Sequence, residues 1–311
     1  MAAVAPAIPT NPLSLAKTWG YQLQNVDPSV IAASPYDAVV IDYSRDGSDW
    51  RSYSPGEIAR MKAKPDGSRR IVLCYFSIGE AEDYRYYWRK RWSWMSWGGW
   101  RWFWQLFGDR FLPSWVGPHN REWKGNYGVR YWQDGWQDII VAGEDSYLRK
   151  IVKAGFDGAY LDKIDEFADM AKENPRARAD MIALVARLAT RAREQVPGFL
   201  IVPQNGEELL RDAGYRAIVD GLGKEDFLFG DPKDKVRNAP GLIARSARDI
   251  QLLIADRRPV LAVEYLRDPA HIGTARAELT AQGFVPHFAD RPLDNLRIGD
   301  IPTNTSERRK R

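Results

Sequence analysis

Short apolar runs recur along the chain, and most end in a polar or acidic residue. They cover residues 19–24, 38–43, 71–76, 156–162, 199–205, 217–222, 260–265 and 283–288. Uninterrupted apolarity over such lengths fits parallel strands buried on both faces. Helical patterns lie between them. Ser54-Pro55-Gly56-Glu57 reads as a helix start, with Ser54 as N-cap and Glu57 completing a capping box. Residues 177–196 place Met181, Leu184, Val185, Leu188 and Ala192 at helical spacing, and 242–256 and 269–282 read as two further helices. Eight strands alternating with helices predict an α/β fold, a (β/α)8 TIM barrel. The rival, a doubly wound open sheet, lacks its Gly-x-Gly-x-x-Gly turn after the first strand.

One segment breaks this rhythm. Residues 88–136 hold eleven of the thirteen tryptophans, six of them between Trp92 and Trp104. The segment reads as an insertion after the third strand. It could form a satellite core under a long loop, aromatic platforms for sugar rings or a partner, or a membrane-surface element. The expected domain plan is a flexible Ala/Pro leader at 1–15, one barrel domain at 16–300 and a basic tail at 301–311.

Composition narrows the classes. The net charge of +4 over 311 residues is mild, and the run Glu307-Arg308-Arg309-Lys310-Arg311 reads as a solvated tail. There is no nucleic-acid motif. A single cysteine, Cys74, excludes an intramolecular disulfide, and its apolar neighbours predict a buried thiol. His119, His271 and His287 are too scattered for a metal site, so neither metal nor cofactor is expected. No apolar run is long enough to span a membrane.

In a (β/α)8 barrel the active site lies at the C-terminal ends of the strands. Those ends present Asp42, Glu80, Glu82, Asp162, Asp165, Asn205, Glu207, Glu225, Glu264 and Asp290, beside Tyr75, Tyr84, Tyr160, Tyr265 and Phe288. A Gly-x-Ser-x-Gly elbow and a phosphate-binding glycine loop are both missing. Carboxylates with aromatic neighbours suit glycoside hydrolysis, which needs one protonated acid and one ionised carboxylate. Each acid also has a plainer explanation. Asp42 and Asp290 could be loop or capping residues, and Asp165, Glu166, Glu207 and Glu208 could be first-turn helix acids. Glu264 and Tyr265 point to opposite faces of a regular strand, so only one of them enters the lumen.

At these residues the sequence resembles the glycoside hydrolase 114 family, which includes endo-α-1,4-polygalactosaminidases. The resemblance is carried by Trp19-Gly20-Tyr21-Gln22-Leu23, Val40-Ile41-Asp42-Tyr43-Ser44, Ser77-Ile78-Gly79-Glu80-Ala81-Glu82 and Gly158-Ala159-Tyr160-Leu161-Asp162. It implies a (β/α)8 barrel with a catalytic Asp at the end of the fourth strand and a catalytic Glu at the end of the sixth, here Asp162 and Glu225. It further implies a cleft lined by Asp42, Glu80, Asn205 and Tyr265, and Tyr75 and Gln204 are expected beside them. The implied partner is a polysaccharide or oligosaccharide containing an amino sugar, and the implied location is secreted or periplasmic. The alternative is a barrel that binds carbohydrate or a partner through the tryptophan segment without cleaving anything.

Overall fold

The structure is a computed structural model, and it describes residues 11–96, 101–108, 111–231 and 233–297. Among the described residues there are eleven strands: β1 (Trp19–Gln22), β2 (Ala38–Ile41), β3 (Ile71–Ser77), β4 (Glu80–Glu82), β5 (Val116–His119), β6 (Asn126–Val129), β7 (Gly158–Asp162), β8 (Leu200–Pro203), β9 (Leu222–Glu225), β10 (Val260–Glu264) and β11 (Val285–Phe288). Eight of them form the (β/α)8 barrel. Strands β1, β2, β3, β7 and β8 pair in that order, all parallel, and β9, β10 and β11 form a second parallel set. A parallel bridge between Gln204 and Gly223 joins the two sets. The seam between β11 and β1 is laced by side chains. The Trp19 indole N–H donates to the Val285 carbonyl at 2.9 Å, and His287 Nε2 accepts from the Tyr21 N–H at 3.4 Å.

Alternation along the strands sorts side chains into two cores. Trp19, Tyr21, Val40, Leu73, Tyr75, Tyr160, Val202, Val263 and Tyr265 fill the lumen. Val39, Cys74, Phe76, Leu161, Ile201 and Ala262 face outward onto the helices. Burying each large apolar side chain contributes about 1.5–3 kcal/mol, so the filled lumen is a main source of stability. Residues 12–15 form a 3-10 turn that pushes Leu13 and Ala16 into the lumen cluster from the N-terminal end. The rest of the expected leader, 1–10, and the tail, 301–311, lie outside the described residues.

The helix signals translate into structure. Ser54 and Glu57 make the reciprocal capping box of helix Pro55–Lys62. Helices Ala177–Gln195, Pro240–Ala255 and Pro269–Ala281 occupy the segments predicted for them. The sixth strand differs from expectation. Residues 213–218 are a helix capped by Asp212, and the strand starts only at Leu222. The apolar run at 217–222 therefore straddles a helix end and a strand start.

The insertion after β3 has its own architecture. Strands β4, β6 and β5 make a small antiparallel sheet on the C-terminal rim, and short helices Lys90–Met95 and Arg101–Gln105 lie between β4 and β5. Trp88, Trp92, Trp115 and Trp136 are buried here, with Trp88 stacked on Tyr127 at 4.5 Å. Trp97 and Trp100 lie outside the described residues.

Candidate active site

The C-terminal ends of β7, β8 and β9 bring three polar side chains into the lumen mouth. Tyr160 and Asp162 share the inward face of β7, Val202 and Gln204 that of β8, and Gly223 and Glu225 that of β9. Gly223 has a specific spatial reason. A Cβ there would lie 2.0 Å from the Tyr160 hydroxyl, so the missing side chain makes room for the ring.

The Gln204 amide joins the two acids. Its Nε2 donates to Asp162 Oδ1 at 3.0 Å and to Glu225 Oε2 at 2.6 Å. Its Oε1 accepts from the Tyr21 hydroxyl at 3.1 Å, which fixes the amide with its NH2 toward the carboxylates. Asp162 also accepts from the Tyr75 hydroxyl and from the Lys163 backbone N–H, each at 2.7 Å. Tyr265 donates its hydroxyl to Glu225 Oε1. The Arg291 guanidinium lies 4.1 Å from the Tyr265 ring centroid and is itself held by both Asp226 oxygens at 2.9 Å.

Burial raises both acids. Asp162 rises to about 6, against the opposing pull of the Tyr75 hydrogen bond. Glu225 rises to about 8, through burial first and the neighbouring Asp162 charge second. Near neutral pH the pair therefore holds one ionised carboxylate, Asp162, and one protonated acid, Glu225.

The other expected cleft residues have firm partners. Asn205, with φ +57, accepts the Glu225 N–H at 3.2 Å and so fixes the end of β9. Both Asp42 oxygens are taken by Arg85, at 2.7 and 2.8 Å, and Arg85 also reaches Glu82. Glu80 accepts from Asn120 at 2.8 Å and Asn126 at 3.2 Å, and Lys163 Nζ lies 3.3 Å away. Asp42 and Glu80 thus shape the rim from buried positions. Glu264 faces away from the lumen, where it accepts the Leu228 and Phe229 N–H groups at 2.7 and 3.1 Å. Tyr265 is the member of that pair that enters the lumen.

Tyr21 and Arg291 had no place among the candidate residues. Tyr21 stands in the Trp-Gly-Tyr-Gln-Leu motif, which was a usable signal. Arg291 follows Asp290 in a loop and carries none. Among the described residues, no group of three or more His, Cys, Asp or Glu is placed to hold a metal. A cavity of about 520 Å³ lies at the opposite end of the barrel, beside Trp19, Arg258 and His287, away from the acids.

Residues 2–301 match the sequence pattern of glycoside-hydrolase family GH114. The chain belongs to that family. Its activity is accordingly glycoside hydrolysis, and its substrate is a carbohydrate. An uncharacterized protein of Deinococcus radiodurans is 34% identical over 295 residues, covering 91% of this chain and 83% of its own. One from Methanocaldococcus jannaschii is 34% identical over 305 residues, covering 93% and 80%. Among solved structures, the glycoside hydrolase domain of PelA from Pseudomonas aeruginosa aligns over 90% of this chain and 97% of its own, at 18% identity and a TM-score of 0.65. Aspergillus fumigatus Ega3, in complex with galactosamine, aligns over 90% and 93%, at 18% identity and a TM-score of 0.60. At these identities the structural likeness concerns the fold, and it agrees with the GH114 barrel described above.

Proposed function

We propose that this GH114 chain cleaves an amino-sugar polysaccharide, α-1,4-linked galactosamine being the leading substrate, with Asp162 as nucleophile and Glu225 as acid and base. The observation that carries this reading is the single Gln204 nitrogen within hydrogen-bond reach of both carboxylates, at 3.0 and 2.6 Å. The two bonded oxygens can be no farther apart than those lengths laid end to end. That bound on the bonded oxygens favours the about 5–5.5 Å between the carboxyl groups of a retaining pair over the about 6.5–9.5 Å of an inverting one.

In the first step Asp162 attacks the anomeric carbon while Glu225 gives its proton to the departing glycosidic oxygen. A glycosyl ester on Asp162 results. In the second step the Glu225 carboxylate takes a proton from water, the water oxygen attacks the same carbon, and Asp162 leaves. The Tyr75, Lys163 and Gln204 donors hold Asp162 anionic and oriented. The Tyr265 hydroxyl and the Gln204 amide stabilise the ionised Glu225 that acts as base. The crowding of the Asp162, Asp165 and Glu80 carboxylates around Lys163 favours a protonated amine on the substrate, and the galactosamine bound by Ega3 points the same way.

The test is hydrolysis of a galactosamine polymer by the wild type, D162N and E225Q, with the anomer released first followed by NMR. Each variant is expected to lose about 10²–10⁴-fold in turnover, with retained anomeric configuration in the wild type. Undiminished turnover in either variant would remove its assigned role. Binding without cleavage across an oligosaccharide panel would favour a non-catalytic barrel.

A further inference from the structure

The tryptophan segment divides into a buried half and an exposed half. The exposed half is Trp94 (68%), Trp102 (62%), Leu106 (73%), Phe107 (54%) and Phe111 (38%), fractions far above those of the buried tryptophans, with Trp123 (56%) apart from them on the connection between β5 and β6. These side chains come from helices Lys90–Met95 and Arg101–Gln105 and the turn that follows. Arg89, Lys90 and Arg91 stand exposed at the start of the segment. Beyond Arg85, which is buried on Asp42 and Glu82, and before Glu122 the sequence has a single acid, Asp109, against six Arg and Lys.

We infer that this face seats the protein on an anionic lipid surface. Large aromatic and aliphatic side chains flanked by basic residues are what a headgroup boundary selects: rings sink to the acyl edge and cations meet lipid phosphates. Two observations favour lipid over a glycan. First, the rings meet edge to face: Trp102 and Phe103 at 86°, Phe103 and Phe107 at 71°, Phe107 and Phe111 at 62°. A sugar chain needs successive flat faces to stack on, and Leu106, the most exposed of the set, offers none. Second, the sign of charge is wrong for an amino-sugar polymer, whose ammonium groups these cations would repel, and right for anionic headgroups. The patch belongs to the insertion rather than to the lumen residues, so lipid binding stands or falls apart from the proposed hydrolysis.

The experiment is co-sedimentation of the full chain with phosphatidylcholine vesicles and with vesicles that also contain phosphatidylglycerol. Binding to the anionic vesicles is expected to be at least about tenfold tighter, and to weaken as salt screens the headgroups. The variant W102A/L106A/F107A is expected to lose that binding, and K90E to weaken it. Both should melt like the wild type, because only exposed side chains change. Lack of binding to either vesicle, or undiminished binding by the triple variant, would overturn the inference. So would a triple variant that keeps vesicle binding but loses affinity for a soluble galactosamine polymer, since the patch would then be a glycan platform.

Discussion

Gln204 is the residue on which the geometry of the site turns. Its NH2 donates to Asp162 and Glu225, and its carbonyl is pinned by Tyr21. Donation to a carboxylate favours the charged form and lowers its pKa. Replacing Gln204 with Leu removes that donation from both acids at once, so both pKa values should rise from their present positions of about 6 and about 8. Activity requires Asp162 ionised and Glu225 protonated, so the whole pH–rate bell should move to higher pH. Turnover near pH 6 should fall about tenfold or more, because Asp162 would then be largely protonated and its orientation less fixed. A pH profile of Q204L against wild type checks this. A lowered profile with unmoved limbs would show that Gln204 acts only by filling space. Asp162 itself was legible because an apolar strand ends on it. Gln204 was legible only as a polar residue after such a run, since the bridge to Glu225 depends on β8 and β9 lying side by side.

At the scale of elements, β9 is where the sequence pattern misleads. The strand reads Leu-Gly-Lys-Glu, poor in β-formers, because each position serves a neighbour. Gly223 yields its volume to Tyr160, Lys224 pairs with Glu207 at 3.2 Å on the outer face, and Glu225 belongs to the site. The more strand-like residues 217–219 end a helix and lead into the strand instead. Local rules fail at a site because side chains there are chosen for contacts across the lumen. The same reason hides Arg291 and leaves Tyr21 readable only as part of its motif, since the contacts of both exist only once the barrel closes. The prediction at this scale is G223A. Its Cβ would sit 2.0 Å from the Tyr160 hydroxyl and 2.3 Å from Cζ, and the ring is walled in by Trp19 and Tyr21. Overpacking of this kind costs about 1–3 kcal/mol. G223A should therefore lower the denaturation midpoint, and by displacing β9 should also cut turnover. An unchanged midpoint in urea would mean that Tyr160 has room to move. The other strands were easy to read for the opposite reason: β2, β3, β7 and β10 are buried on both faces, so their apolar runs are unbroken.

For the molecule as a whole, the site carries a cost that pH exposes. Burial raises Asp162 to about 6, and Glu225, Glu166 and Glu264 to about 8 each. Unfolded, such groups titrate near 4. Between those limits the native state holds protons that the unfolded chain releases, so stability present at low pH is lost as pH rises through the folded values. His287 acts in the opposite sense. Burial lowers it to about 3, so its contribution is present above about 6.5 and is lost as pH falls. Four raised carboxyls outweigh one lowered imidazole, so the two trends together favour maximal stability at acidic pH, near the unfolded carboxyl values. They also distinguish the proposed pair from ordinary buried acids, because E225Q should lose activity and gain stability together. At pH 5 Glu225 is already protonated in the fold, and E225Q should melt close to wild type. At pH 9 wild type must hold a buried charge that E225Q lacks, and the variant should be more stable by about 1–3 kcal/mol, a rise of about 2–4 °C in Tm for each of those. D162N should show the same sign, with its gap opening at lower pH because Asp162 titrates first. Melting curves of the three proteins at pH 5, 7 and 9 decide the matter: parallel curves would mean that Glu225 is solvated and does not hold the proton that the proposed chemistry requires.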